Sequence, residues 1–210
     1  MPLNSICVYC GSSPGNNPIY IQAARELGGE LARRGLTLVY GGSSVGLMGE
    51  VARAALQGGS RVIGVIPKAL AEQEIAFLEL CELQLVDSMH ERKARMAELS
   101  DGFVSLPGGF GTFEEFFEIL TWSQLGLHAK PSGLLNIAGY YRHLLTFLNH
   151  SVSQGFVHPA HLHMLLVSRQ PAELLDLLAA YQPPAGDKAA WVLAMHKQAN
   201  SRESADLGNP

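Results

Sequence analysis

Two periodicities of apolar residues alternate along the chain. Short apolar runs occur at 5–10, 36–40, 61–66, 102–106, 132–136 and 164–167. Runs of this length bounded by glycine and polar residues are strand signals. Between them, apolar residues return every three to four positions, the helical period. This spacing predicts helices over 18–34, 46–57, 89–99 and 112–125, and a further helix after each of the last two strands. The stretch 72–87 is less regular and carries a short extended piece at 83–86. Strands alternating with helices predict an α/β fold, a mainly parallel sheet with helices on both faces. No internal repeat interrupts the pattern. One domain is expected over 1–182, followed by a C-terminal extension over 183–210 whose polar end, 201–210, is expected to be a mobile tail.

In open α/β sheets, ligands sit outside the carboxyl ends of the strands. Three loops leaving those ends are rich in glycine: Gly11-Ser12-Ser13-Pro14-Gly15, Gly41-Gly42-Ser43-Ser44-Val45-Gly46 and Pro107-Gly108-Gly109-Phe110-Gly111-Thr112. Any one could be a tight turn. Three at one sheet edge indicate an anion site, because glycine lets backbone N–H groups approach closely and a following helix adds its dipole. None continues as Gly-Lys-Ser/Thr, and the first loop lacks G-x-G-x-x-G, so a mononucleotide fits better than a long cofactor.

Two groups of charged residues stand out. In the helix over 89–99, Arg92 and Lys93 lie within or beside the apolar stripe of Met89 and Met96. Their stems either snorkel to solvent or carry the cations to a buried anion. In the second group, Thr112 at a helix start and Glu115 three residues on form a capping-box pattern. Glu115 also follows a glycine-rich loop at the ligand-bearing edge, where a carboxylate held ionised by the helix dipole could face a developing cation. The same helix bears Phe113, Phe116, Phe117, Ile119, Leu120, Trp122 and Leu125, too many for one stripe. It is either a deeply buried core helix or partly a subunit interface.

Composition narrows the class. The 210 residues carry 15 Lys+Arg against 19 Asp+Glu, a formal net charge of −4, which argues against a general nucleic-acid binder. No apolar run is long enough to span a bilayer, and the first residues lack a secretory layout, so a soluble cytoplasmic protein is expected. Cys7 and Cys10 have C-x-x-C spacing but fall on a strand pattern, where positions three apart face opposite ways. Two core cysteines are expected rather than a metal or redox pair. The histidines, including His161-x-His163, form no compelling ligand set.

The run Pro107-Gly108-Gly109-Phe110-Gly111-Thr112-Phe113-Glu114-Glu115 resembles the P-G-G-x-G-T-x-x-E motif of the Lonely Guy family, cytokinin riboside 5′-monophosphate phosphoribohydrolases with AMP-hydrolysing relatives. The resemblance extends through Cys10-Gly11-Ser12-Ser13, Tyr40-Gly41-Gly42, Gly46-Leu47-Met48-Gly49, Val65-Ile66-Pro67, Met89-His90-Glu91-Arg92-Lys93 and Thr121-Trp122-Ser123-Gln124-Leu125-Gly126. It covers about 5–178 and implies a Rossmann-like fold and a homodimer. It makes Arg92 and Glu115 the catalytic pair. Phosphate and ribose would lie against Gly108, Gly109, Gly111 and Thr112, with Lys93 nearby and Gly11, Ser12 and Gly42 from the other loops in the substrate-binding set. Glu74 and Thr121 match further substrate-contacting positions. Ser43 departs from the glycine usual in the second loop.

The implied reaction is hydrolysis of the N-glycosidic bond of a purine nucleoside 5′-monophosphate, without metal or cofactor. Two other readings stay open. A non-catalytic nucleotide carrier or sensor would keep the glycine loops without needing Arg92 and Glu115 together. A pyridoxal-phosphate decarboxylase, a label some relatives have carried, would need a Schiff-base lysine, for which Lys93 alone is placed.

Overall fold

A computed structural model describes residues 3–71, 76–77 and 82–184. Seven strands, β1 (Ser5–Tyr9), β2 (Thr37–Tyr40), β3 (Val62–Pro67), β4 (Glu82–Val86), β5 (Gly102–Ser105), β6 (Ser132–Leu135) and β7 (Leu165–Ser168), form one sheet in the order β4-β3-β2-β1-β5-β6-β7. All six neighbouring pairs are parallel. The helices described are α1 (Pro18–Arg33), α2 (Gly46–Gln57), α3 (Lys68–Ala71), α4 (Met89–Glu98), α5 (Phe110–Gln124), α6 (Arg142–Ser153), α7 (Pro159–Leu162) and α8 (Pro171–Ala180). The α/β architecture expected from the alternating periods is therefore present. The one-turn helices α3 and α7 are additions that a periodicity reading cannot see.

A parallel sheet needs both faces covered, and the strand compositions provide for it. On one face, Ile6, Val8 and Leu38 pack with Ala24, Leu27 and Leu31 of α1, Val51 of α2 and Leu174 of α8. On the other, Cys7, Tyr9, Val39 and Ile63 pack with Met96 of α4 and Ile119 of α5. Cys7 and Cys10 belong to these two different clusters, are both buried and are not disulfide-bonded. A third cluster joins Phe116 of α5 to Leu148 of α6, Tyr141 and Leu165.

Strand order reverses direction at β1, which has β2 on one side and β5 on the other. The crevice outside the carboxyl ends of β1 and β5 is the topological switch point, the usual ligand position in such sheets. The first and third glycine-rich loops leave these two strands. No described helix is long and apolar enough to cross a membrane. Glu74, Cys81 and the tail 201–210 lie outside the described residues.

Candidate active site

Backbone hydrogen bonds draw the three glycine loops together. Gly11 N–H donates to the Pro107 carbonyl at 3.1 Å, and Leu47 N–H donates to the Gly11 carbonyl at 3.1 Å. Beside them opens a cavity of about 340 Å³, lined from the loops by Gly11, Ser12, Gly41, Gly109, Gly111 and Thr112. Two glycines are fixed by close approach. A Cβ on Gly108 would overlap the Thr112 side chain, and one on Gly41 would overlap the Arg92 guanidinium. Ser43 replaces glycine without backbone strain, since the positive-φ residues nearby are Gly42 and Gly46. Its buried Oγ accepts from Val45 N–H at 3.4 Å.

The α5 helix begins at Phe110, not at Thr112, and its N-cap is Gly109, which has no side chain to offer. The first-turn amides of Phe110, Gly111 and Thr112 thus lie beside the cavity without a side-chain cap, and an anion there would meet both their N–H groups and the dipole. The early start also removes the capping box. Glu115 sits in the second turn, and its carboxylate instead accepts from Arg92 across the cavity floor.

That contact is the centre of the site. Arg92 Nη1 donates to Glu115 Oε1 at 3.1 Å, its Nε to the Val65 carbonyl at 3.0 Å and its Nη2 to the Gly41 carbonyl at 3.4 Å. The carbonyls come from the end of β3 and the loop after β2, so the guanidinium is held in one orientation by the sheet edge. The Arg92 and Glu115 side chains are only 11% and 9% exposed, yet both line the cavity. Burial pushes the Glu115 carboxyl up to about 7, against the opposing pull of Arg92 and with a further push from Glu114. The expectation that the helix dipole keeps Glu115 ionised is therefore corrected. The dipole acts mainly within the first turn, and desolvation outweighs it.

Other expected residues are placed less uniformly. Lys93 is buried but turned away from the cavity, with Nζ donating to Glu118 at 3.1 Å and also to Glu114. Burial works against its charge, and these carboxylates outweigh that effect and raise its proton affinity. Gly42 packs behind the loop against Ile66 and Leu83, and its carbonyl accepts from Phe77 N–H at 3.0 Å. Gly108 lies just beneath the cavity lining, and Thr121 is exposed outside it. Residues missed by the sequence reading include Met48, Leu70 and Phe110, which line the cavity with Met89 and Met96. Cys10 also lines it, but burial pushes its thiol well up, so it offers no thiolate. Tyr140 was missed as well. Its hydroxyl donates to the Gly108 carbonyl at 2.5 Å and props the third loop from behind. Among the described residues no group of three or more His, Cys, Asp or Glu side chains is placed to hold a metal ion.

Residues 48–178 match a family described as possible lysine decarboxylase. The chain is 51% identical over 178 residues to a probable cytokinin riboside 5′-monophosphate phosphoribohydrolase of Oryza sativa subsp. japonica, covering 85% of this chain and 73% of that one. It is 49% identical over 189 residues to a cytokinin riboside 5′-monophosphate phosphoribohydrolase of Arabidopsis thaliana, covering 89% of each. Among solved structures, a molybdenum cofactor binding protein from Rippkaea orientalis matches with TM-score 0.64 at 20% identity, over 86% of this chain and 98% of that one. The molybdenum cofactor carrier protein from Chlamydomonas reinhardtii matches with TM-score 0.63 at 23% identity, over 86% of this chain and all of that one. The structural likeness is one of fold. The sequence likeness is far closer, and on it the chain belongs to the cytokinin riboside 5′-monophosphate phosphoribohydrolase, or Lonely Guy, family.

Proposed function

We propose that this protein hydrolyses the bond between base and ribose in a purine nucleoside 5′-monophosphate, releasing free base and ribose 5-phosphate. One observation carries the reading: a buried carboxylate with proton affinity near neutrality, held by a fixed arginine in the cavity beside an uncapped helix N-terminus. The 5′-phosphate lies against the amides of Gly109, Phe110, Gly111 and Thr112. Its binding energy positions C1′ of the ribose over Glu115.

The transition state of N-glycoside hydrolysis resembles an oxocarbenium ion. Ionised Glu115 stabilises that cation and takes a proton from the attacking water, whose oxygen bonds to C1′ as the C1′–N bond breaks; the base leaves with the bond electrons and takes up a proton from solvent at a ring nitrogen. A group with pKa about 7 is suited to this exchange, being ionised often enough to accept the proton and basic enough to hold it. Arg92 keeps the carboxylate in place and tempers its proton affinity. Its three anchors at Glu115, Val65 and Gly41 make it an orienting group first, whereas the loop amides carry the phosphate.

The apolar side chains of Met48, Leu70, Met89, Met96 and Phe110 support a base bearing an apolar N6 substituent, as in cytokinins, over unmodified adenine. Lys93 weighs against the decarboxylase reading, since its ammonium is engaged by Glu114 and Glu118 rather than presented to the cavity. We further infer a cytoplasmic homodimer. The exposed Leu125, Leu127, Phe147 and Phe156, on and after α5 and α6, support the dimer, which light scattering at micromolar concentration tests.

The functional test is chromatography of the base released from N6-isopentenyladenosine 5′-monophosphate, AMP and the corresponding nucleosides. The expected order is the N6-substituted monophosphate first, AMP second and the nucleosides far behind. Release of no base from any monophosphate would overturn the reading. A nucleotide-soaked crystal tests the placement, with the phosphate expected against 109–112.

A further inference from the structure

A second cavity, of about 530 Å³, opens at the carboxyl ends of β6 and β7 and shares no lining residue with the first. Asn136, the residue after β6, and Arg169, the residue after β7, form part of its wall. Arg142, Thr146 and Asn149 line it from one face of α6, four and then three residues apart.

The charge of this cavity is unbalanced. Arg25, Arg33, Arg34, Arg53, Arg61, Arg92 and Arg95 each hold a carboxylate within 3.1 Å. The two remaining arginines among the described residues are Arg142 and Arg169. They share this cavity, neither has an ion-pair partner among the described residues, and no carboxylate lines the walls. The chain as a whole carries a formal charge of −4, so two cations left together this way are a local feature and not an overflow of basic residues.

An unpaired donor on a largely buried residue points to the same place. Asn136 is 8% exposed and lines the cavity. Its Oδ1 accepts from the Tyr141 N–H at 2.8 Å, while its Nδ2 amine has no acceptor among the described residues. Arg142 opens the twelve-residue helix α6, whose N-terminus has no side-chain cap. Forked guanidiniums, an unpaired amide amine and a free helix start are all donors that a tetrahedral oxyanion satisfies.

We propose that this cavity is a second anion site, binding a phosphoryl group through Arg142 and Arg169 with Asn136 Nδ2 and the first-turn amides of α6 as further donors. The ligand is either inorganic phosphate or the phosphate of a small ester. The negative net charge of the chain opposes a polyanion.

The test is a two-dimensional amide and arginine Nε resonance titration of the full chain with inorganic phosphate and, separately, ribose 5-phosphate. Saturable shifts are expected at Asn136, Gly139 and 142–144 and at the Nε of Arg142 and Arg169. The probe that saturates them at lower concentration identifies the source. In the Arg142→Ala/Arg169→Ala variant, affinity read at Asn136 and Gly139 should fall at least about tenfold, with shifts at 109–112 retained. Both side chains are exposed, so the variant should fold, and an otherwise unchanged spectrum checks that it does. Shifts confined to 109–112, or equal affinity in the double variant, would overturn the proposal. Because the site is read from resonances outside the catalytic cavity, failure there leaves the hydrolase reading standing, and loss of activity leaves this site standing.

Discussion

Replacing Glu115 by Gln keeps the shape of the side chain and an oxygen for Arg92 to bond, while removing the charge and the titration. Two magnitudes follow. The first is catalytic: if the carboxylate stabilises the sugar cation, turnover should fall at least about a hundredfold, or roughly 2.7 kcal/mol of transition-state stabilisation. The second comes from the raised proton affinity, from 4.5 to about 7. A group whose folded pKa exceeds its unfolded value contributes stability below the unfolded pKa and loses it as pH rises through the folded one. At 1.36 kcal/mol per unit, the wild type should lose about 3 kcal/mol between about pH 4.5 and about pH 8 through this residue alone. The Gln variant has no such proton to lose, so its stability relative to wild type should rise by that amount across the same window. Denaturant unfolding of both proteins at a series of pH values measures the difference, and base release from the monophosphates measures the rate. A stability difference that stays flat with pH would refute the buried, uncharged-leaning carboxyl. A near wild-type rate would refute its place in the chemistry.

Arg92→Ala removes the main influence lowering the Glu115 pKa, so turnover should drop and the acidic limb of kcat/KM against pH should move to higher pH. A limb that stays in place would show that Arg92 does not control the proton. Nucleosides lacking the 5′-phosphate should react with kcat/KM at least about a hundredfold below their monophosphates, because the amides at 109–112 then hold nothing; equal values in steady-state assays would contradict the anchoring role. Tyr140→Phe deletes the hydroxyl that props the Gly108 carbonyl. KM for the monophosphate should rise by about twofold to tenfold, the worth of one hydrogen bond of about 0.5–1.5 kcal/mol, with kcat little changed. A change in kcat with KM constant would place Tyr140 in the chemistry instead.

Much of the frame could be read from periodicity because the strands are short, apolar and bounded by glycine. β1, β2, β5 and β6 fall within a residue of their expected bounds. The glycine loops were legible for the same local reason: their conformations need glycine and they precede helices. What was not legible depends on which side of a helix faces which neighbour. Arg92 and Lys93 are adjacent in sequence, and their stems could equally snorkel to solvent or carry both cations to a buried anion. The structure points Arg92 at Glu115 beside the cavity and Lys93 at Glu114 and Glu118, a rotation of about 100° around α4 that no spacing argument fixes in absolute direction. Tyr140 was beyond reach in another way. It meets Gly108 across 32 residues of chain, through a loop whose course depends on β6 and α6 being in place.

The Thr-x-x-Glu pattern at 112–115 shows where local rules stop. In isolation it describes a helix start, and the energy of a capping box, about 1 kcal/mol, is enough to favour it. In the assembled sheet the helix begins two residues earlier, because the loop from β5 turns at Gly108 and Gly109 against the Gly11 backbone and Thr112. This brings the open amides beside the cavity and slides Glu115 into the second turn. There its hydrogen-bond partner among the described residues is a guanidinium already committed to two backbone carbonyls. A carboxylate used as a cap would have its charge satisfied by the backbone and a low proton affinity. One that is largely desolvated and shares a single cation does not, and the about 7 of Glu115 is the result. The early helix start therefore does two jobs at once: it exposes the amides that can receive a phosphate, and it strands the carboxyl that can exchange a proton with water.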